Sequence, residues 1–217
     1  MYMDKVCYIV AAGDWYGDVI QKREQDLVIA VDGGYDYVLQ MGIVPDITVG
    51  DFDSVQAALP DEHVIRLNPV KDETDTLYAI GVAKERGYRN IFIYGGTGGS
   101  RLSHTLANVQ TLLYYKDLFA VLVDKEEAVF LLHDAMVRFS QACEGYLSVF
   151  SITEKSYGVT ERGLKYEIEN ATLSASFPIG VSNEFLGIES SISVEKGALL
   201  VAMGKEYIHE MQVSSVW

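Results

Sequence analysis

The sequence predicts an N-terminal Rossmann-like α/β domain with a mainly parallel sheet, followed by a C-terminal β-sandwich. Three observations lead there. Between residues 6 and 123, short apolar runs alternate with helix-like segments. Beyond Glu126 the segments are short and alternate apolar with polar, and no helix-length amphipathic stretch is evident. Residue types suited to phosphate chemistry fall at the ends of the first-half strands.

The predicted strands of the first half are residues 6–11, 27–31, 47–49, 64–67, 91–94 and 119–123. They are apolar throughout, as strands covered on both faces must be. Between them, residues 36–41, 75–86 and 103–115 read as helices, with Gly42 and Gly87 placed to end two of them. Strand–helix alternation implies a mainly parallel sheet with helices on both faces. In the second half, residues 128–139, 146–152, 173–177, 191–195 and 198–202 read as strands. Ser191 to Glu195 alternates cleanly, and Lys196-Gly197 then offers a turn. The charged stretch from Asp124 to Glu127 marks the boundary, giving domains 1–125 and 126–217.

A chain of 217 residues that is 49% hydrophobic can bury a sizeable core. Its net charge of -14 argues against nucleic-acid binding, which needs basic surface. Met1 to Val10 lacks the basic region and cleavage site of a signal peptide, and no apolar run reaches membrane-span length. Cys7 and Cys143 sit in apolar surroundings, as core residues of a cytoplasmic protein rather than a disulfide scaffold.

Gly50-Asp51-Phe52-Asp53-Ser54 is the densest chemical signal. Two carboxylates two residues apart at a strand end would share one side and repel, unless a cation joins them. Mg²⁺ suits such a pair, because it takes one or two carboxylates and leaves positions for phosphates. Asp32-Gly33-Gly34, Asp72 with Asp75, and the loop from Gly95 to Gly99 follow other predicted strands. All reach the edge where open α/β sheets bind ligands. Plain helix capping would account for Asp53 with Ser54, or Thr74 with Asp75, taken singly. The glycine loop does not match a Walker A sequence, so it is either a flexible loop or a set of N–H groups facing an anion. Arg101 can grip phosphate bidentately, and His104 can bond substrate or simply pack. His63, His133 and His209 are dispersed and lack metal-ligand spacing.

The chain resembles the thiamine pyrophosphokinase family over essentially its whole length. The matching segments are VDGGYDYVLQMGIVPDITVGDFDSV (31–55), KDETDT (71–76), GGTGGSRLSHTLANVQTLL (95–113), RGLKYEI (162–168) and VSNEF (181–185). The resemblance implies a homodimer that moves pyrophosphate from ATP to the thiamine hydroxyl with Mg²⁺, releasing AMP. Under it Asp51, Asp53 and Asp75 are the Mg²⁺ ligands, and together with Arg101 they form the catalytic set. Asp32, Gly33, Gly34, Arg101 and His104 belong to the ATP site. Ser182 and Asn183 bind thiamine across the dimer interface, with Tyr166 near the substrate. One segment departs from the family's Gly-Gly-Arg-x-Asp-His. Ser100 is an additional residue before Arg101, and Ser103 stands where the family has Asp, left to bond or to cap the helix. The alternatives are a pyrophosphokinase for another alcohol, such as a hydroxymethyl pterin, and a non-catalytic nucleotide or thiamine diphosphate sensor.

Overall fold

The computed structural model describes residues 5–53, 55–60, 62–68, 70 and 72–215. Ser54 and Lys71, from two of the motifs above, lie outside them. The chain divides between Lys125 and Glu126 into two compact units.

In the first unit, β1 (Val6–Val10), β2 (Leu27–Val31), β3 (Ile47–Gly50), β4 (Val64–Arg66), β5 (Asn90–Tyr94) and β6 (Phe119–Val123) pair in parallel. Their spatial order is β6-β5-β1-β2-β3-β4. Every residue of β2 is buried, which explains its unbroken apolar run. Each fully buried Val or Ile there contributes roughly 1.5–3 kcal/mol by leaving water. The helices are α1 (Gly34–Gln40), α2 (Asp75–Glu85) and α3 (Leu102–Tyr114). Gly42 and Gly87 close α1 and α2 at φ 72° and 80°, as expected. Gly34 has a different necessity. A Cβ on it would lie 2.0 Å from the Val10 carbonyl oxygen, so only glycine lets α1 start this close to β1. The strand order reverses beside β1, where β2 lies on one side and β5 on the other, so a ligand is expected at their C-terminal ends.

The second unit is antiparallel. β12 (Asn183–Glu184), β9 (Tyr146–Ser151), β14 (Ala198–Gly204) and β7 (Glu127–His133) follow one another in one sheet. β11 (Ile168–Ser174), β10 (Lys155–Arg162), β13 (Ser190–Ser193), β8 (Ala135–Phe139) and β15 (Met211–Ser215) form the other. Residues 128–139, expected as one strand, are two. Asp134 takes φ 46° and turns the chain from one sheet into the other. Its carboxylate accepts the Gly197 N–H at 2.9 Å, tying this corner to the Lys196-Gly197 turn. Neither β10 nor β15 was apparent from the sequence. β10 breaks the alternating pattern with Gly158 and with two buried polar residues, Ser156 and Glu161. Cys7 and Cys143 are free and buried. Burial pushes both thiols up, Cys143 to about 11, which leaves them protonated and unreactive at neutral pH.

Candidate functional site

The carboxylate edge is built by backbone conformation. The strand pattern ends at Gly50 (φ 151°), and Phe52 takes φ 65°. Asp51 and Asp53 therefore do not share a side by strand alternation, as the sequence suggested. They are related by a tight turn in which the Asp51 carboxylate accepts the Asp53 N–H at 3.2 Å. Asp32 follows β2 with φ 46°, and its carboxylate accepts the Asp51 N–H at 3.1 Å and the Phe52 N–H at 3.5 Å. Burial, with the negative charges of Asp75 and Asp51 beside it, pushes the Asp32 carboxyl up to about 6. Asp36 of α1 accepts the Gln56 and Ala57 N–H groups, both at 3.0 Å, and anchors the chain beyond Asp53.

Helix capping does not explain Asp53, since among the described residues the next element after it is the strand β4. It does explain Thr74, whose hydroxyl accepts the Leu77 N–H at 3.2 Å and leaves Asp75 in the first turn of α2. Asp72 is exposed. Arg66, missed in the sequence, ends β4 with its guanidinium 5.3 Å from the Phe52 ring centre. A cation directly after a strand, in register with Gly50, was its available signal.

The glycine loop follows β5. Gly95, Gly98 and Gly99 have positive φ, and the Gly13 N–H donates to the Gly95 carbonyl at 2.8 Å. The buried Asn108 amide donates to the Gly96 carbonyl at 2.6 Å, and Thr97 donates to Asp124 at 2.6 Å, so the loop is tethered rather than loose. Arg101 is exposed at the N-cap of α3. The helix starts one residue earlier than expected, so Ser103 lies inside its first turn and does not cap it. His104 is exposed, and its N–H donates to the Arg101 carbonyl at 3.0 Å. Gly33 is the N-cap of α1 and Gly34 its first residue.

Among the described residues, no three His, Cys, Asp or Glu side chains form a ready-made metal cage. The donor set still fits magnesium. Asp75 and Asp51 each lie near enough to Asp32 to raise its pKa, and Mg²⁺ needs only one or two carboxylates when phosphates complete its shell.

The second unit holds Ser182 and Asn183. Ser182 is exposed with φ 58°, and its N–H donates to the Ser148 hydroxyl at 3.1 Å. Asn183 is buried in β12, while the Tyr166 side chain is 61% exposed. The turn bearing Tyr166 is held to the chain beside Asn183. Leu164 bridges Phe185, the Lys165 N–H donates to the Glu184 carbonyl, and the Lys165 ammonium pairs with Glu184 at 2.6 Å.

A parallel α/β unit with carboxylates and a glycine loop at its strand ends defines a class, that of enzymes acting on phosphate groups. Comparison with known proteins narrows it. The family model for the thiamin pyrophosphokinase catalytic domain matches residues 21–144, and that for its vitamin B1 binding domain matches residues 135–199. This chain belongs to the thiamine pyrophosphokinase family. The thiamine pyrophosphokinase of Bacillus subtilis is 30% identical over 191 residues, covering 82% of this chain and 87% of that protein. The crystal structure of the Bacillus subtilis enzyme aligns with TM-score 0.81 at 28% identity, over 92% of this chain and 98% of its own. That of the Geobacillus thermodenitrificans thiamin pyrophosphokinase aligns equally, at TM-score 0.81 and 28% identity, over 92% and 97%.

Proposed function

We propose that this chain transfers the pyrophosphoryl group of ATP to the hydroxyl of thiamine, forming thiamine diphosphate and AMP. The observation that carries the reading is the Asp32 carboxylate bonded to the Asp51 N–H at the ends of β2 and β3, with Asp75 opening α2, in a chain of this family. Asp51, Asp53 and Asp75 would hold Mg²⁺, which neutralises phosphate charge and makes the β-phosphorus more electrophilic. Asp32, Gly33, Gly34 and His104 serve the nucleotide, and Arg101 grips its phosphates. The thiamine oxygen attacks the β-phosphorus in line, the bond to the α-phosphate's bridging oxygen breaks, and one of the clustered carboxylates takes the hydroxyl proton. Holding the two substrates in this alignment is worth about 7 kcal/mol or more of the barrier.

Ser182 presents the acceptor, with Asn183 and Tyr166 beside it. The chain works as a homodimer with the acceptor site at the interface between copies, in the reducing cytoplasm. Three features support the interface. β12 is an edge strand, Ser182 beside it is exposed, and Phe177, Ile179, Val181, Leu186 and Ile188 nearby in sequence are exposed apolar residues. Among the described residues, no helix is long and apolar enough to cross a membrane.

The test is incubation with ATP, Mg²⁺ and thiamine, with AMP and thiamine diphosphate followed by chromatography. Stoichiometric appearance of both is expected. AMP formed only when a hydroxymethyl pterin replaces thiamine would overturn the acceptor assignment. Light scattering of Phe177→Asp against the parent tests the dimer, and an unchanged mass would remove this face from it.

A further inference from the structure

Asn183 has no polar capacity left for a ligand. Its amide nitrogen donates to Glu161 Oε2 and to the Tyr166 carbonyl, both at 2.8 Å. Its amide oxygen accepts the Tyr166 and Glu184 N–H groups, both at 2.9 Å. A primary amide offers two donors and one oxygen with two lone pairs, and all are in use. The orientation is forced. Rotating the amide by half a turn would set its NH₂ against two backbone N–H donors, and its oxygen against a carboxylate and a carbonyl.

Glu161 is the unusual member of this network. It lies on β10, only 4% exposed, opposite Ile168 of β11 and Ile192 of β13. Burial pushes its carboxyl up, and the Asn183 N–H draws it partly back down. A carboxylate is costly in such a place and is tolerated where its hydrogen bonding is needed. Through Asn183 it grips both backbone polar groups of Tyr166. Ser182, the residue before Asn183, is held on its other side by Ser148.

We propose that Glu161 and Asn183 are positioning residues for the acceptor substrate, holding the Ser182 hydroxyl and the Tyr166 ring to receive a flat heterocycle bearing a primary alcohol. This rests on the thiamine reading above. Asn183 acts behind the surface that meets the substrate, and Glu161 sets the direction of its amide.

The test compares Glu161→Leu with Glu161→Gln in the full-length protein. Steady-state kinetics give the KM for thiamine and for ATP, and NMR gives the exchange protection of the Asn183 side-chain amide. Glu161→Leu removes the acceptor. It should raise the thiamine KM about tenfold or more with the ATP KM within about twofold, and the amide should lose protection. Glu161→Gln keeps an acceptor oxygen and should recover most of both losses. Lost protection with an unmoved thiamine KM would overturn the proposal, as would equal rises in both KM values. So would a Gln variant as impaired as Leu. If Glu161→Leu does not fold, Glu161→Gln beside Glu161→Thr makes the same comparison. A parental protein inactive on thiamine would sink the functional reading and the acceptor role with it. A protected Asn183 amide in that protein would separate this result from failure of the network.

Discussion

Replacing Gly50 by alanine tests the construction of the carboxylate edge. A Cβ on Gly50 would sit 1.8 Å from Asp32 Oδ1 and 2.7 Å from Asp32 Cγ, far inside ordinary contact. Asp32 has no room to retreat, because its N–H donates to the Val49 carbonyl at 2.9 Å and its carbonyl accepts the Tyr35 N–H at 3.0 Å. The carboxylate must rotate away and release the Asp51 N–H. Losing that charge-assisted bond costs about 1.5–3 kcal/mol. An L-residue at φ 151° adds roughly 1–3 kcal/mol. Together these come to about 3 kcal/mol or more, or about 6–12 °C in Tm for a chain of this size. Turnover should fall by about a hundredfold, because Asp32 and Asp51 both shift from their positions. Calorimetry and the AMP-release assay read the two effects. Gly42→Ala is the control, since Gly42 also has positive φ (72°) but a Cβ there meets nothing within 4 Å. It should lose about 1 kcal/mol and keep its activity. A Gly50→Ala protein with parental Tm and turnover would refute the argument.

Asp53→Ala and Asp75→Ala should each abolish Mg²⁺-dependent turnover while the far-UV circular dichroism stays parental; near-normal activity in both would end the metal assignment. Ser182→Ala should raise the KM for thiamine about tenfold and leave that for ATP unchanged, as loss of one buried hydrogen bond to substrate would; equal rises would mean structural damage. The raised pKa of Glu161 makes a pH prediction. A carboxyl that binds its proton more tightly when folded contributes most below its unfolded pKa of roughly 4.3, and that contribution is lost as pH rises through the folded value. Glu161→Gln should therefore gain stability relative to the parent as denaturation is measured at rising pH above about 4.3. A stability difference independent of pH would show that Glu161 does not titrate as its burial requires.

Much of the first unit was legible because most of its strands are buried on both faces, β4 being the exception. The runs at 27–31 and 119–123 match β2 and β6 residue for residue. The second unit was less so. β10 carries Ser156 and Glu161 inward, and partners distant in sequence satisfy them. Ser156 donates to the Ala198 carbonyl at 3.0 Å, and Glu161 accepts from Asn183 at 2.8 Å. Hydropathy patterning registers the polarity of such residues but not the partner that makes burial tolerable. The motif residues were all visible, but their geometry was not. Asp51 and Asp53 meet through a turn rather than by strand alternation, and Ser103 falls inside α3 rather than at its cap.

By itself, then, the sequence determined the parallel α/β unit, the β unit after it, and the residue types at the strand ends. Those follow from local periodicity and from motifs a few residues long. Only the tertiary structure decided that Asp32 braces the Asp51 turn, that Gly50 must lack a side chain, and that Asn183 is already saturated. Each depends on groups 17 to 22 residues apart meeting within hydrogen-bond or van der Waals distance, which no single-chain periodicity encodes.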